Sequence, residues 1–182
     1  MKIELLDEEF PWTTGPPRSE GLHMTPIITD ILTTLGLAPN YGDDDPRLQF
    51  EKGYLWEDLL SLAFGEKAAY RPDEVVCDGI ACSPDGITFD PDGTTVLEEY
   101  KCTAMSSARD ISEKLSWIMQ MKGYCHVVET NHAILRVLYL SGNYRDIRVP
   151  QYICYRLYFS DRELDENWDS LVNHAKLKGW LS

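Results

Sequence analysis

The chain has 182 residues, of which 43% are hydrophobic and 26% are charged, and its formal net charge is −13. This length and composition predict one globular domain spanning residues 1–182, and the acidity argues against a protein that holds nucleic acid by general electrostatic attraction. No stretch approaches 18 consecutive apolar residues, so we expect no membrane span and a cytoplasmic protein.

The negative charge is concentrated in the first half of the chain. Residues 1–100 contain 6 Lys/Arg and 21 Asp/Glu, whereas residues 101–160 contain 8 Lys/Arg and 4 Asp/Glu. We expect bound cations to neutralise part of the acidic half, and a phosphate backbone to lie along the basic stretch.

The five cysteines form no CxxC pair, which predicts reduced thiols without a zinc or iron–sulfur framework.

The first 64 residues predict a short strand and two helices. Residues 2–6 are the strand candidate. Thr25 followed by Pro26 is typical of a helix start, with threonine as the N-cap and proline in the first turn, and Gly36 is expected to end this helix. The second helix is predicted over residues 46–64.

Glu57 lies on a largely apolar face of that second helix, at helical spacing from Gly53 and Leu60. A carboxylate on such a face is costly to bury unless another group pairs with it, and Gly53 would allow a close backbone approach. Two interpretations remain at this stage: a functional carboxylate, or a partly exposed glutamate at the edge of the apolar stripe.

The middle of the chain predicts a series of strands. Residues 74–89 contain two of them, joined by the turn Asp78-Gly79, and Asp78 is either a turn residue or an acid supporting a nearby site. Residues 96–103 predict the next strand. The turn at residues 91–93 folds the segment carrying Asp85 back beside this strand.

That hairpin brings charged side chains together. Side chains alternate along a strand, so Glu99 and Lys101 point to one face and Tyr100 to the other, and Asp85 on the neighbouring strand can lie next to Glu99. Two carboxylates with an ammonium nearby form a site for a hard divalent cation, where the lysine can orient or deprotonate a metal-bound water. The alternative is a solvated hairpin with incidental charges.

A long helix capped by Ser106 or Ser107 is predicted to run to about residue 129. Gln120 and Tyr124 lie one turn apart on this helix, either as site residues or as part of an ordinary amphipathic surface.

Two strands, at residues 133–140 and 151–159, and a helix that begins near Asp161 and ends at Gly179 complete the chain. This order of elements predicts an α/β fold.

Together these features resemble the PD-(D/E)xK nucleases. Ser83-Pro84-Asp85-Gly86 matches the proline–aspartate–glycine variant of the motif, and Glu99 and Lys101 match its E-x-K. Glu57 after Gly53, and Gln120 before Tyr124, match marks of the RecB-like and lambda-exonuclease-like branch. The resemblance implies a restriction-endonuclease-like core, in which helices flank a central mixed β-sheet.

The resemblance also implies a metal site. One or two Mg²⁺ or Mn²⁺ ions would be held by Asp85, Glu99, the carbonyl of Tyr100 and Glu57. Lys101 would position the attacking water, and Gln120 and Tyr124 would fix the DNA strand. Relatives with an iron–sulfur cluster need four cysteines in a pattern that this chain lacks, so we expect no cluster.

Within this family the chain is most similar to the lambda-exonuclease and YqaJ-like viral recombinases. The resemblance implies a pocket for the 5′-phosphate of a DNA end, formed by Arg18, Thr25, Ser83 and Gln120. His23 is a candidate metal ligand or, as is more common for a histidine before a helix, a structural residue.

The resemblance therefore implies a metal-dependent deoxyribonuclease, specifically a phage or prophage exonuclease acting at 5′-phosphorylated ends. DNA, a single-strand annealing recombinase and further copies of the chain are the candidate partners. A structure-selective or restriction-like endonuclease is the alternative within this class. A non-catalytic acidic interaction module on the same fold is the alternative from another class.

Overall fold

The computed structural model of the protein describes residues 19–37, 47–64, 69–144 and 149–181. Its elements in chain order are β1 (Leu22–His23), α1 (Met24–Thr34), α2 (Arg47–Phe64), β2 (Val75–Cys77), β3 (Ile80–Cys82), β4 (Gly86–Phe89), β5 (Thr95–Thr103), α3 (Leu115–Val127), β6 (His132–Tyr139), β7 (Gln151–Tyr158) and α4 (Asp161–Leu177). The strand candidate at residues 2–6 lies outside the described residues, as does Arg18.

Four strands form a central mixed sheet in the order β4-β5-β6-β7. β5 and β6 are parallel because α3 carries the chain back between them, whereas the two outer pairs are antiparallel. β1, β3 and β2 form a separate three-stranded sheet. The strands predicted over residues 74–103 therefore divide between two sheets. The break falls at Ser83-Pro84, where proline has no N–H with which to continue the ladder.

Helices cover both faces of the central sheet, which confirms the predicted fold class. α1, α3 and α4 pack against one another, and α3 contacts β5 and β6. α2 lies on the opposite face, where Trp56 packs against Tyr152 and the ring of Phe64 lies beneath the guanidinium of Arg136. The fully buried side chains of the main core include Leu97, Leu135, Val137, Met121 and Leu171. Within the described ranges, no helix combines the length and the apolar run needed to cross a bilayer.

An ion pair joins β5 to β6 on the face of the sheet that α2 covers. Glu98 is 3% exposed and accepts two hydrogen bonds from the guanidinium of Arg136, at 2.8 and 2.9 Å. The hydroxyl of Tyr100 donates a third, at 3.0 Å. Tyr100 therefore points to the opposite face from Glu99 and Lys101, as strand alternation predicts.

The prediction of Thr25 as a helix N-cap is wrong. α1 begins at Met24 and its N-cap is His23, whose extended backbone also pairs with Ala81 at the end of β1. Strand pairing thus sets the helix start, and Thr25 lies inside the first turn. The predicted end at Gly36 is confirmed: Gly36 has a φ of +69°, and the N–H of Leu37 donates to the carbonyl of Leu32 at 2.7 Å.

The predicted start of the next helix, at Ser106 or Ser107, is also wrong. Both serines are tied to the loop that follows β6, through hydrogen bonds from the Ser106 hydroxyl to Asn143 and from the Ser107 N–H to Gly142. Asp110 instead caps a short 3₁₀ turn, and α3 begins only at Leu115. The two strands after α3 and the C-terminal helix lie close to their predicted positions.

Candidate active site

A cavity of about 690 Å³ lies between α1, α2, the segment joining β3 to β4, and β5. Apart from Asp78, the described residues that the sequence singled out for function all line it. They are His23, Thr25, Glu57, Ser83, Asp85, Glu99, Tyr100, Lys101, Gln120 and Tyr124. Long-range pairing therefore gathers into one place residues that are up to about a hundred positions apart in the sequence.

Asp85 and Glu99 lie side by side, with Glu99 buried and Asp85 partly buried. The pairing of Gly86 with Glu98 places them on adjacent strands, and the N–H of Tyr100 donates to the Asp85 carboxylate at 2.8 Å. Burial raises the pKa of Asp85. Burial, followed by the charge of Asp85, raises the pKa of Glu99 to about 8. Two carboxylates held together against their mutual repulsion are typical of a functional site.

Lys101 links these carboxylates to α3. Its ammonium donates to a carboxylate oxygen of Glu99 and to the side-chain oxygen of Gln120, the latter at 3.0 Å. Gln120 in turn donates to the hydroxyl of Tyr124 at 3.0 Å. Burial alone would lower the pKa of Lys101, but the charges of Glu99 and Asp85 outweigh burial and raise it. Lys101 is therefore a cation and hydrogen-bond donor at neutral pH.

Glu57 is held by a partner that sequence reasoning missed. Its carboxylate accepts a hydrogen bond from the Arg71 guanidinium at 2.7 Å, and burial, then the charge of Asp85, raises the pKa of Glu57. This favours a paired cavity carboxylate over a glutamate at a stripe edge. The sequence indicated this partner only indirectly, because a glutamate on an apolar face is costly to bury unless a cation lies nearby. Gly53 shows no close approach, since a Cβ there would meet nothing within 4 Å.

One atom of this cluster has no partner. The Oε2 oxygen of Glu99 is buried without a hydrogen bond in the described part of the molecule, which is costly for a carboxylate. A cation beside Glu99 and Asp85 would satisfy it, and Mg²⁺ characteristically takes one or two carboxylates and keeps several waters. The residues present therefore fit Mg²⁺ or Mn²⁺.

Glu57 stands apart from these two carboxylates. Across the described ranges, no three His, Cys, Asp or Glu side chains are grouped as a ready-made metal site. Glu57 can therefore act as a further ligand only if its pair with Arg71 opens.

The predicted phosphate pocket is described in part. Thr25, Ser83 and Gln120 share the cavity. However, the hydroxyl of Ser83 donates to Glu74 at 2.9 Å, and Nδ1 of His23 lies 3.6 Å from the same carboxylate oxygen. His23 also contacts the carbonyl of Ser19 at 3.0 Å. A carboxylate thus lies where the resemblance expects a phosphate contact.

Asp78 belongs to the scaffold. It occupies the β2–β3 turn with a φ of +48°, and its carboxylate accepts a hydrogen bond from the indole N–H of Trp168 at 2.8 Å. This contact ties the turn to α4, and Asp78 does not line the cavity. Asp78 is therefore a structural turn residue.

Solved structures with this fold include exonucleases. LHK-Exo in complex with dAMP matches with a TM-score of 0.55 and 15% identity, covering 87% of this chain and 88% of LHK-Exo; LHK-Exo is an alkaline exonuclease from Laribacter hongkongensis. A phage-related exonuclease from Haemophilus somnus 129PT matches with a TM-score of 0.53 and 14% identity, covering 86% of this chain and 80% of that one. No protein-family model and no curated protein matches the sequence. The chain therefore has the fold of the phage-type exonucleases, as its resemblance to the PD-(D/E)xK nucleases implied.

Proposed function

We propose that this protein is a metal-dependent deoxyribonuclease, and specifically an exonuclease that acts at 5′-phosphorylated DNA ends. One observation carries the proposal: the hydrogen-bonded chain from Glu99 through Lys101 and Gln120 to Tyr124, beside the partly buried Asp85. A purely structural domain would gain nothing from placing two carboxylates side by side where burial raises the pKa of both. The likeness to exonucleases in fold supports the same reading.

Asp85, Glu99 and the carbonyl of Tyr100 would hold Mg²⁺ or Mn²⁺, with Glu57 as a further ligand. Such an ion neutralises charge on the scissile phosphate and on the leaving oxygen. The protein supplies the rest. Lys101 remains charged and directs an N–H towards the attacking water, while Gln120 and Tyr124 keep its ammonium in place. Donors fixed before the reaction need no reorganisation as charge develops.

The proposed preference for DNA ends follows from the charge of the protein. A chain with a net charge of −13 gains little from general attraction to DNA, so a few placed contacts must capture the substrate. Thr25, in the first turn of α1, lies where main-chain N–H groups and the helix dipole favour an anion. Together with Ser83, Gln120 and Arg18 it would hold the terminal phosphate.

The test is digestion of linear duplex DNA with Mg²⁺ or Mn²⁺, using 5′-phosphorylated ends, 5′-hydroxyl ends and closed circles as parallel substrates. We expect the phosphorylated ends to be digested at least about tenfold faster than the hydroxyl ends. Lys101→Ala should lower the rate by at least about a hundredfold. Lys122→Ala is the matched control, because Lys122 pairs with Glu163 of α4, does not line the cavity and should be dispensable.

Two outcomes would replace this proposal. Equal rates on both kinds of end, with rapid cutting of closed circles, would indicate a structure-selective or restriction-like endonuclease. If the folded protein cleaves no DNA with either metal, the non-catalytic interaction module becomes the better description. Full activity in EDTA, or in Lys101→Ala, would refute the mechanism itself.

A further inference from the structure

The cavity that holds the site is itself acidic. Its described lining contains five carboxylates, those of Glu57, Asp73, Glu74, Asp85 and Glu99. Among the same residues, only Arg71 and Lys101 carry a permanent positive charge. A phosphate that enters this cavity is repelled by most of its wall, so any cation that it can reach has a large effect on binding.

Lys101 is already committed, because its side chain is only 20% exposed and its ammonium donates to Glu99 and Gln120. Arg71 differs on both counts. Its side chain is 52% exposed, and its one hydrogen bond to another side chain in the described structure joins Nη1 to Glu57. A guanidinium carries five N–H donors in a fixed fork. Arg71 can therefore keep Glu57 as a partner and still present donors to an anion.

We propose that Arg71 binds a backbone phosphate of the DNA, and that Glu57 holds its guanidinium in the cavity wall until the DNA arrives. This inference rests on the proposed function for the identity of the ligand. The Arg71 side chain is 52% exposed and that of Glu57 is 20% exposed, so the pair lies at the cavity wall, where a phosphate can reach the guanidinium. Arginine also suits the task because its planar fork matches the oxygens of a phosphate.

Removal of Arg71 and removal of Glu57 should have opposite effects on DNA binding. If Arg71 binds phosphate, its removal weakens DNA binding, whereas removal of the competing carboxylate of Glu57 strengthens it. If Arg71 only neutralises Glu57, the two removals change DNA binding little, apart from any effect on folding. Binding can be measured in EDTA, where hydrolysis does not proceed, so the test does not depend on catalysis.

The experiment measures the binding of a short fluorescent duplex with 5′-phosphorylated ends by anisotropy, with the whole chain at low ionic strength. We expect Arg71→Gln to raise Kd by about tenfold to a hundredfold. It should also reduce the slope of log Kd against log salt by about one, since one phosphate contact is lost. Glu57→Gln should lower Kd by about twofold to fivefold.

Arg156→Gln is the matched control. Arg156 pairs with Asp90 at the same 2.7 Å, its side chain is 41% exposed, and it does not line the cavity. Its removal changes the net charge of the protein by the same amount, yet Kd should hardly change. If Arg71→Gln does not fold, Arg71→Lys is measured instead. This variant keeps the charge, so it should preserve the slope of log Kd against log salt while losing part of the affinity.

An unchanged Kd in Arg71→Gln, an equal loss in Arg156→Gln, or weaker binding in Glu57→Gln would overturn the inference. So would the absence of measurable binding by the unaltered protein at low salt. Failure of the proposed nuclease activity appears separately, as missing cleavage with Mg²⁺ while the binding differences persist.

Discussion

At the scale of single residues, the charges of Asp85 and Glu99 that would bind a cation also lower the stability of the metal-free fold. Burial raises the pKa of each, because a carboxylate loses hydration in the interior. In the ionised form needed to hold a cation, both therefore lower the stability of the metal-free fold. Such trade-offs are common where a site is arranged for chemistry.

We predict that Asp85→Asn stabilises the metal-free protein by about 1–2 kcal/mol, measured by urea unfolding in EDTA near pH 8. The amide oxygen can still accept the hydrogen bond from the Tyr100 N–H, while the buried charge is removed. The same substitution should abolish the rise in melting temperature that Mg²⁺ or Mn²⁺ induces.

Asp92→Asn is the control for this substitution, because hydrogen bonds from Thr94 lower the pKa of the exposed Asp92. Removing that charge should bring no gain in stability. A less stable Asp85→Asn protein, or one that keeps its metal-induced shift, would contradict the assignment of Asp85 as a metal ligand.

At the scale of elements, β5 carries different chemistry on its two faces. Glu99 and Lys101 face the cavity, whereas Glu98 faces α2 and is paired with Arg136 of β6. The Glu98 pair joins the two parallel strands at the level of the site, and the ring of Phe64 covers its guanidinium. The position of the face that lines the cavity thus depends on contacts made on the opposite face.

We predict that Arg136→Met destabilises the fold by about 3–5 kcal/mol, because it leaves the carboxylate of Glu98 buried without its cation. The double substitution Glu98→Met/Arg136→Met should recover most of that loss, since no buried charge remains. Chemical denaturation of the three proteins checks both statements.

Arg156→Met provides the comparison, since its partner Asp90 lies near the surface and its loss should matter little. A double variant that is less stable than Arg136→Met would show that the pair is needed for more than neutralising Glu98.

At the scale of the whole molecule, ion pairs occupy much of the basic stretch. Within residues 101–160, four described cations are paired with carboxylates. These are Lys101, Lys122, Arg136 and Arg156. The expectation of a basic track for a phosphate backbone is therefore weakened. Under the proposed function, DNA binding would depend on individually placed contacts and bound cations.

We predict that the stability of the metal-free protein falls as pH rises from about 5 to 8. Where the folded pKa of an acid is raised, the native state binds more protons than the unfolded chain, so stability decreases with pH through that interval. Glu57, Asp85 and Glu99 behave in this way.

Other carboxylates have the opposite effect at lower pH. Hydrogen bonds from Ser160 lower the pKa of Glu163 to about 2, so its contribution is present above the unfolded pKa and is lost only in acid. Urea unfolding at a series of pH values in EDTA measures the balance, and saturating Mg²⁺ should flatten the fall towards pH 8. A metal-free stability that rises steadily up to pH 8 would contradict this balance.

The sequence by itself determined what depends on near neighbours. Strand alternation placed Glu99 and Lys101 on one face, and the turn at residues 91–93 paired the Asp85 segment with their strand. The end of α1 at Gly36 and the order of the main helices and strands followed in the same way. These features arise from backbone periodicity and turn chemistry, which act over a few residues and are visible in any short window of sequence.

Only the tertiary structure decided what depends on distant partners. α1 starts at Met24 because β1 pairs with β3, and α3 starts late because Ser106 and Ser107 bond to the loop after β6. Glu57 meets Arg71 across 14 positions, and Asp78 meets Trp168 across 90. Local patterns carry no record of such pairs, since the free energy that selects them comes from burial and packing of the whole fold.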